Sequence, residues 1–315
     1  MYGSLSLWFD KLTNHRSDLV VREKSKKKNE RQMLRIAIQA KGRLSDESLA
    51  LLRESGIEVD DSKRKFLSRS SNFPVELLYL RDDDIPQAVA QGVADLGIVG
   101  YNEVCERGEA VEIVDRLGFG ECRISLAIPK AEEYSGLEYF RGKRIATSYP
   151  NILDKFLKDK GIDAKINVIA GSVEIAPTVG MSDAIFDIVS SGGTLVSNGL
   201  KEVEKVVFSE AVLISGGNLS EDKAKLLEQI KFRFNAVRDS RGKKYLLMNI
   251  PDDRIEEAIR IVPAMRSPTV LPLAQSGWSS LHSVVDESVL WEKIESLKEI
   301  GAEGILVLSV EKMVL

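Results

Sequence analysis

From Met33 onward the chain alternates short apolar runs with amphipathic stretches. LRIAIQ (34–39) is followed by apolar residues at helical spacing from 45 to about 54, closed by Gly56. VELLYLR (75–81) then precedes a helix through Ala88 and Val89, and ADLGIVG (94–100) follows. Strand-like runs separated by helix-like ones predict a parallel sheet with crossover helices. The nearly unbroken apolarity of the runs suits strands covered on both faces. A second set starts after RISLAIP (123–129): KRIATSYP, a helix around 153–157, INVIAG, a helix near Ala176, DAIFDIVS and VEKVVFS. Two α/β lobes are expected, with AVLIS (211–215) carrying the chain back to the first.

After Gly217 the pattern changes to a long polar helix, 220 to about 239. KYLLMNIP, DDRIEEAIRIVP, PTVLPLAQ, WSSLHSVVD, ESVLWEKIESLKEIG and GILVLSV follow. In order they spell β-α-β-β-α-β, a ferredoxin-like unit suited to regulation or assembly. The expected fold class is therefore α/β. It has a basic extension over 1–32, a first lobe over 33–126 rejoined by about 208–219, a second lobe over 127–207, and a C-terminal unit over 220–315.

Composition narrows the function classes. A chain of 315 residues that is 43% hydrophobic and 29% charged can bury more than one core. Two cysteines, Cys105 and Cys122, and two histidines, His15 and His282, make neither a disulfide framework nor a His-rich metal site, so no protein-built metal centre is expected. No apolar run approaches the roughly 20 residues of a spanning helix, and the first residues lack the ordered sections of a secretory signal. The expected setting is a reducing cytoplasm, with no membrane partner. Residues 1–32 hold eight Lys/Arg against four Asp/Glu, so with a net charge of −4 overall the remainder carries −8. The basic run from 22 to 31 raises nucleic acid as a partner, but it lacks interleaved aromatics and is read as a solvated, disordered arm.

The stretch DAIFDIVSSGGTLVSNGL (183–200) carries the most informative chemistry. An apolar run ending at Val189 leads into Ser190, Ser191, Gly192, Gly193 and Thr194, after which Leu195, Val196 and Leu200 resume helical spacing. Such a strand-to-helix turn exposes backbone N–H groups, because glycine allows close approach and positive φ while hydroxyls add donors. Asp187, just upstream, is placed to accept hydrogen bonds from ribose hydroxyls, with Glu174 and Asp183 as further acidic candidates. A hydroxyl acceptor beside a phosphate cradle matches a sugar 5-phosphate. The same residues also suit an ordinary turn, with Thr194 as an N-cap and both aspartates on a solvated face.

DIVSSGGTL, with GSVEIAP before it and NGLKEVE after it, resembles the phosphoribosyl diphosphate (PRPP) region of the ATP phosphoribosyltransferases. LRIAIQAKGRLSDESLALL is similar to that family's opening strand, Lys-Gly-Arg turn and first helix, and LRDDDIPQAVAQGVADLGIVG is similar to two further family segments. MRSPTVLPLA and GAEGILVLSVEKM resemble the C-terminal domain of the long form. The resemblance runs in chain order from Met33 to Leu315. It departs at Tyr101-Asn102, where relatives carry an acidic residue close to the glycine, so no role is carried onto Tyr101.

The resemblance implies two periplasmic-binding-protein-like lobes around a cleft, plus a regulatory domain. It implies transfer of the phosphoribosyl group from PRPP to N1 of ATP's adenine, with loss of pyrophosphate. PRPP would lie on Ser190, Ser191, Gly192, Gly193, Thr194 and Leu195, with Asp187, Glu174 and Asp183 toward the ribose. Lys41, Gly42, Arg43, Arg81 and Gly100 would meet ATP, with Lys41, Arg43 and Asp187 also serving catalysis. Mg²⁺ would be held largely by substrate oxygens. Histidine would inhibit through Met265 and Thr269, in a homo-oligomer growing from dimer to hexamer. Two rivals stand beside this: a two-lobed solute receptor or effector sensor, and a phosphoribosyltransferase acting on a free base. His282, among alternating residues, is read as a strand residue, and Trp278 and Trp291 as packing residues of the third unit.

Overall fold

The computed structural model describes residues 33–59, 66–262 and 267–315, so the basic extension expected over 1–32 lies outside the described residues. Two compact units emerge. The first holds the segment ending at Arg53 with Ile57–Gln229, and the second holds Glu54–Gly56 with Ile230–Leu315.

The first unit opens with β1 (Leu34–Gln39), α1 (Arg43–Glu54), β2 (Leu67–Arg69), β3 (Val75–Leu80), α2 (Ile85–Ala90), β4 (Leu96–Gly100), α3 (Tyr101–Arg107) and β5 (Glu112–Arg116). The chain continues through β6 (Cys122–Pro129), β7 (Arg144–Thr147), α4 (Pro150–Lys160), β8 (Lys165–Val168), β9 (Ala184–Val189), α5 (Gly193–Ser197), β10 (Leu200–Ser209) and β11 (Ala211–Ser215). Two sheets result, ordered β2-β3-β1-β4-β11-β5 and β10-β6-β9-β7-β8. In the first, β1 pairs in parallel with β3 on one side and β4 on the other, and β11 lies antiparallel between β4 and β5. In the second, β7 pairs in parallel with β8 and β9.

In each sheet the chain reverses its direction of travel across the strands, at β1/β4 and at β7/β9. Open α/β sheets form a ligand crevice at the carboxyl ends of the strands flanking such a reversal. Full burial explains the apolar runs: Ile36, Ala37 and Ile38 of β1 have no exposed surface, nor do Ala184, Ile185 and Phe186 of β9. α4 starts at Pro150, where a missing N–H costs nothing, and ends at Gly161 with φ of +66°.

Some elements depart from the sequence expectation. The helix expected near Ala176 is only a short 3₁₀ turn over Val173–Ile175. Pro177 supplies no backbone donor to continue it, and Gly180 turns the chain away at φ of +74°. The polar edge strands β2 and β5 and the helix α3 were not anticipated.

Helix α6 (Glu221–Ser240) carries the chain into the second unit, which continues with β12 (Lys243–Pro251), α7 (Ile255–Ile261), β13 (Thr269–Pro272), β14 (Trp278–Asp286), α8 (Glu287–Glu299) and β15 (Glu303–Ser309). The strand order β13-β14-β12-β15, antiparallel throughout, puts the first and third strands in the centre. With its β-α-β-β-α-β connection this is the ferredoxin-like arrangement. Leu246, Met248, Ile250 and Leu281 pack one sheet face into a core with Leu290 and Leu297 of α8.

Gly97 on β4 shows how closely the first unit is packed. A Cβ there would sit 2.6 Å from Ile85 Cγ2, 3.0 Å from Val89 Cγ2 and 3.1 Å from Ile214 Cγ1. Gly97→Ala is therefore expected to lower the free energy of unfolding by about 1–3 kcal/mol, read from urea denaturation. An unchanged midpoint would show that α2 moves aside at no cost.

Candidate active site

On the first sheet, β1 ends at Gln39 and the chain turns through Ala40, Lys41 and Gly42 into α1. Gly42 has φ of +104°, a conformation that L side chains rarely adopt. The turn leaves Lys41, Gly42 and Arg43 exposed. A cavity of about 410 Å³ opens here, lined by Gln39, Ala40, Lys41, Leu80, Arg81 and Asp82. Arg81 pairs with Asp83 at 3.2 Å. Arg43 Nε lies 3.5 Å from Glu47, while its Nη1 reaches across to the hydroxyl of Ser190 at 3.4 Å. The β1 turn and the turn after β9, on different sheets, thus face one another. Gly100, at the end of β4, lies close under the side chain of Asn102: a Cβ there would be 2.3 Å from Asn102 Oδ1.

On the second sheet, β9 ends at Val189 and the loop 190–194 follows. Gly192 has φ of +83°, and the short helix α5 starts at Gly193. Ser190, Ser191, Gly193 and Thr194 are exposed and Gly192 is half-buried. Leu195 is buried in the core, leaving only its backbone for a ligand. The carbonyl of Ser190 accepts a hydrogen bond from Arg123 Nη1 at 2.9 Å.

Asp187 lies opposite Ser125 on β6. Burial pushes its carboxyl up to about 6; the Ile188 N–H opposes that shift and the Glu174 carboxylate adds to it. Glu174, on the 3₁₀ turn, is therefore close to Asp187. Asp183 is not. It precedes β9 at the opposite end of the strand, roughly 13 Å from Asp187 at about 3.3 Å per residue. There it accepts hydrogen bonds from the Arg144 backbone N–H at 2.8 Å and guanidinium at 2.9 Å. These hold its carboxyl below the usual range. The expectation that Asp183 joins the ribose site fails on this geometry: the acid fixes a strand end. In the second unit, Thr269 is exposed at the start of β13, and Met265 lies outside the described residues.

A buried polar cluster between the sheets was missed. Asn102 N–H donates to Ser209 Oγ at 3.0 Å, and Ser209 Oγ donates to Asn102 Oδ1 at 2.8 Å. Asn102 Nδ2 donates to Glu103 Oε1 at 3.0 Å and to the Tyr149 hydroxyl at 3.3 Å. Glu106 accepts the backbone N–H groups of Asn151 and Ile152, both at 3.0 Å, satisfying the first turn of α4 from the other sheet's side. Burial pushes Glu103 up to about 7, with the charge of Asp82 adding and the Tyr149 hydroxyl and Arg107 opposing. YNEVCER has acids at helical spacing, which in sequence reads as a solvated face. Among the described residues no group of three or more His, Cys, Asp or Glu could hold a metal ion, and no helix is long and apolar enough to cross a membrane.

Comparison with known proteins adds to this geometry. Residues 81–236 match the family model described as ATP phosphoribosyltransferase, and residues 240–312 match that described as HisG, C-terminal domain. The chain is 61% identical over 283 residues to the ATP phosphoribosyltransferase of Bacteroides fragilis, covering 90% of this chain and 100% of that protein. The enzyme of the same name from Cytophaga hutchinsonii is 53% identical over 282 residues, covering 90% of this chain and 99% of the relative. Among solved structures, the ATP phosphoribosyl transferase (HisG:HisZ) complex from Thermotoga maritima superposes with a TM-score of 0.56 at 27% identity, covering 64% of this chain and 98% of that one.

The buried cluster has a measurable signature. Glu103 titrates at about 7 in the folded protein against an ordinary 4.5, so between those values the folded state holds a proton that the unfolded chain has released. Stability from this group is therefore present at low pH and declines as pH rises from about 4.5 to about 7, by roughly 2–3 kcal/mol. Glu103→Gln should lose less stability than the wild type between pH 5 and pH 8 in urea unfolding. Identical pH dependence in the two proteins would show that Glu103 titrates as it does in water.

Proposed function

The chain belongs to the ATP phosphoribosyltransferase family, and from that we infer that it joins C1 of PRPP to N1 of ATP's adenine, releasing pyrophosphate, as the first step of histidine biosynthesis. The observation that carries the assignment to this cleft is the glycine-serine loop after β9, with Asp187 behind it, facing the Lys41–Arg43 turn. Membership sets aside a solute receptor or sensor. The C-terminal unit, which a free-base enzyme has no evident reason to carry, speaks against that rival.

In this reading the 5-phosphate of PRPP lies on the backbone N–H groups and hydroxyls of Ser190, Ser191, Gly192, Gly193, Thr194 and Leu195. Asp187 and the nearby Glu174 accept hydrogen bonds from the ribose hydroxyls. Lys41 and Arg43 reach from the first lobe toward the diphosphate and the ATP phosphates, with Gly42, Arg81 and Gly100 lining the nucleotide side. Displacement at C1 passes through a positively charged ribose ring and needs no covalent nucleophile; it needs two polyanions held in line and the leaving diphosphate stabilised. Mg²⁺ would be held largely by substrate oxygens and water, which fits the lack of a His/Cys/Asp/Glu metal cluster among the described residues, and it would supply charge neutralisation of pyrophosphate. Lobe boundaries at 33–126 with 208–219 and at 127–207, with a regulatory unit over 220–315, belong to the same reading. So do a cytoplasmic setting, which the substrates favour, and assembly from dimer to hexamer.

Purified protein with Mg²⁺, ATP and PRPP is expected to release pyrophosphate, and PRPP with free bases is not. Asp187→Ala or Thr194→Ala should weaken PRPP use by about ten- to a hundredfold, the worth of a charge-assisted contact of about 1.5–3 kcal/mol. Because Asp187 must be ionised to accept hydroxyl protons, PRPP use should fall as pH drops through about 6. Wild-type kinetics in both variants would remove the loop from the active site.

Histidine is proposed as a feedback inhibitor bound by the C-terminal unit near Thr269, with a coupling of about 1–3 kcal/mol to the catalytic state. Calorimetry and inhibition curves on wild type and Thr269→Ala should show binding weakened in the variant. Intact protein that neither binds histidine nor slows in its presence would end the regulatory assignment while leaving the catalytic one standing.

A further inference from the structure

The loop after β9 has a mechanical problem. Two adjacent glycines, Gly192 and Gly193, give it backbone freedom, and a flexible cradle must lose that freedom each time an anion binds. The structure contains a brace for it. Arg123 and Ser125 on β6 and Glu202 on β10 lie on the same sheet face as Asp187: β6 and β9 pair Arg123 with Val189 and Ser125 with Asp187, and β10 pairs Glu202 with Ala127. The β10 register shifts immediately after Glu202, and such bulges re-aim the side chains beside them. Arg123 grips Glu202 with both edges of its fork, Nε to Oε1 at 2.5 Å and Nη2 to Oε2 at 2.6 Å. Ser125 Oγ donates to the same carboxylate at 2.6 Å. The remaining nitrogen, Nη1, donates to the Ser190 carbonyl at 2.9 Å.

We propose that Arg123 and Glu202 are positioning residues for PRPP: the ion pair fixes the Ser190–Ser191 peptide and so sets the orientation of the phosphate-binding loop before substrate arrives. The peptide is planar and trans, so pinning the Ser190 carbonyl toward Arg123 directs the Ser191 N–H the opposite way. Ser191 in turn takes the Gly193 N–H on its hydroxyl at 3.4 Å, which extends the constraint toward the glycines. Arg123 is poorly suited to meeting the phosphate itself, because the fork that would receive an oxyanion is filled by Glu202 and its charge is neutralised there. A preorganised loop saves the ordering cost on binding, so the effect belongs in the affinity for one substrate.

This inference rests on the loop being the PRPP site, and the test separates the two. Steady-state kinetics would be measured for R123Q, R123K, E202Q, the R123Q/E202Q double variant and T194A, each with its melting temperature. R123Q and E202Q should raise KM for PRPP by about tenfold while KM for ATP moves less than about twofold, and the double variant should be no worse than R123Q, because the pair acts as one device. R123K keeps charge and stem but not the fork and should show a smaller rise of the same kind. If T194A raises KM for PRPP and the Arg123 and Glu202 variants do not, the brace is refuted and the loop assignment stands. The brace is equally refuted if both KM values climb together with a falling melting temperature, since that is general loss of structure. Unchanged PRPP kinetics in T194A would refute the loop assignment and the brace with it.

Discussion

One buried amide ties the two sheets of the first unit together. Asn102 follows β4, Ser209 ends β10 and Tyr149 follows β7, so the hydrogen bonds of a single side chain tie together three segments that are distant in sequence. Buried at 5% exposure, this amide would cost about 1–3 kcal/mol for each partner lost, so the arrangement tolerates little drift. Gly100 makes it possible, since any Cβ there would collide with Asn102 Oδ1. Glu106 adds a second tie by capping α4 from α3. With the strand ends of both sheets held face to face, the turns after β1 and β9 fall within reach of one another.

What the cleft can do follows from where charge is held. The chain is acidic overall at −4, yet the mouth presents Lys41, Arg43 and Arg81, with Arg43 59% exposed. On the proposed reading, the two polyanionic substrates would meet these cations. Asp187, pushed up to about 6 by burial, is a carboxylate with little solvation to lose. On the proposed reaction, positive charge appears on the ribose ring as the diphosphate departs, and a poorly solvated carboxylate gains more from a developing cation than from a neutral ring. That difference between ground and transition state is what accelerates a reaction, whereas uniform binding does not.

The apolar strands were legible because burial on both faces leaves an unbroken signal, as in LRIAIQ and DAIFDIV. β2 and β5, LSR and EIVDR, gave no such signal: they are short and polar at sheet edges. The loop 190–194 and Asp187 could be singled out as candidates because both depend on local residue types. The role of Asp183 was misread because a sequence shows that an acid is near a motif but not which end of a strand it occupies. Asn102, Glu103 and Glu106 were invisible for a related reason: acids on a helix look solvated until Tyr149, Asn151 and Ile152, more than forty residues away, supply their partners. Arg123 and Glu202 belong with them, being two ordinary charged strand residues until the register brings them to one face.

The C-terminal unit extends that lesson. WSSLHSVVD reads as a strand with alternating faces, and β14 is one, but alternation cannot say which polar residues from different strands become neighbours. The register places Thr269 directly opposite His282, and Leu247 opposite His282 on the other side. His282 Nδ1 lies 2.8 Å from the Tyr245 hydroxyl and Nε2 lies 3.0 Å from Ser280 Oγ. A chain of polar groups therefore runs over the sheet face turned away from the core, where Tyr245 and Leu271 are exposed. A sheet that buries Leu246, Met248 and Ile250 on one side leaves its other face to solvent, where polar residues alternate with the buried ones. Thr269, His282, Tyr245 and Ser280 are therefore neighbours that the linear pattern could not bring together, just as it could not pair Arg123 with Glu202.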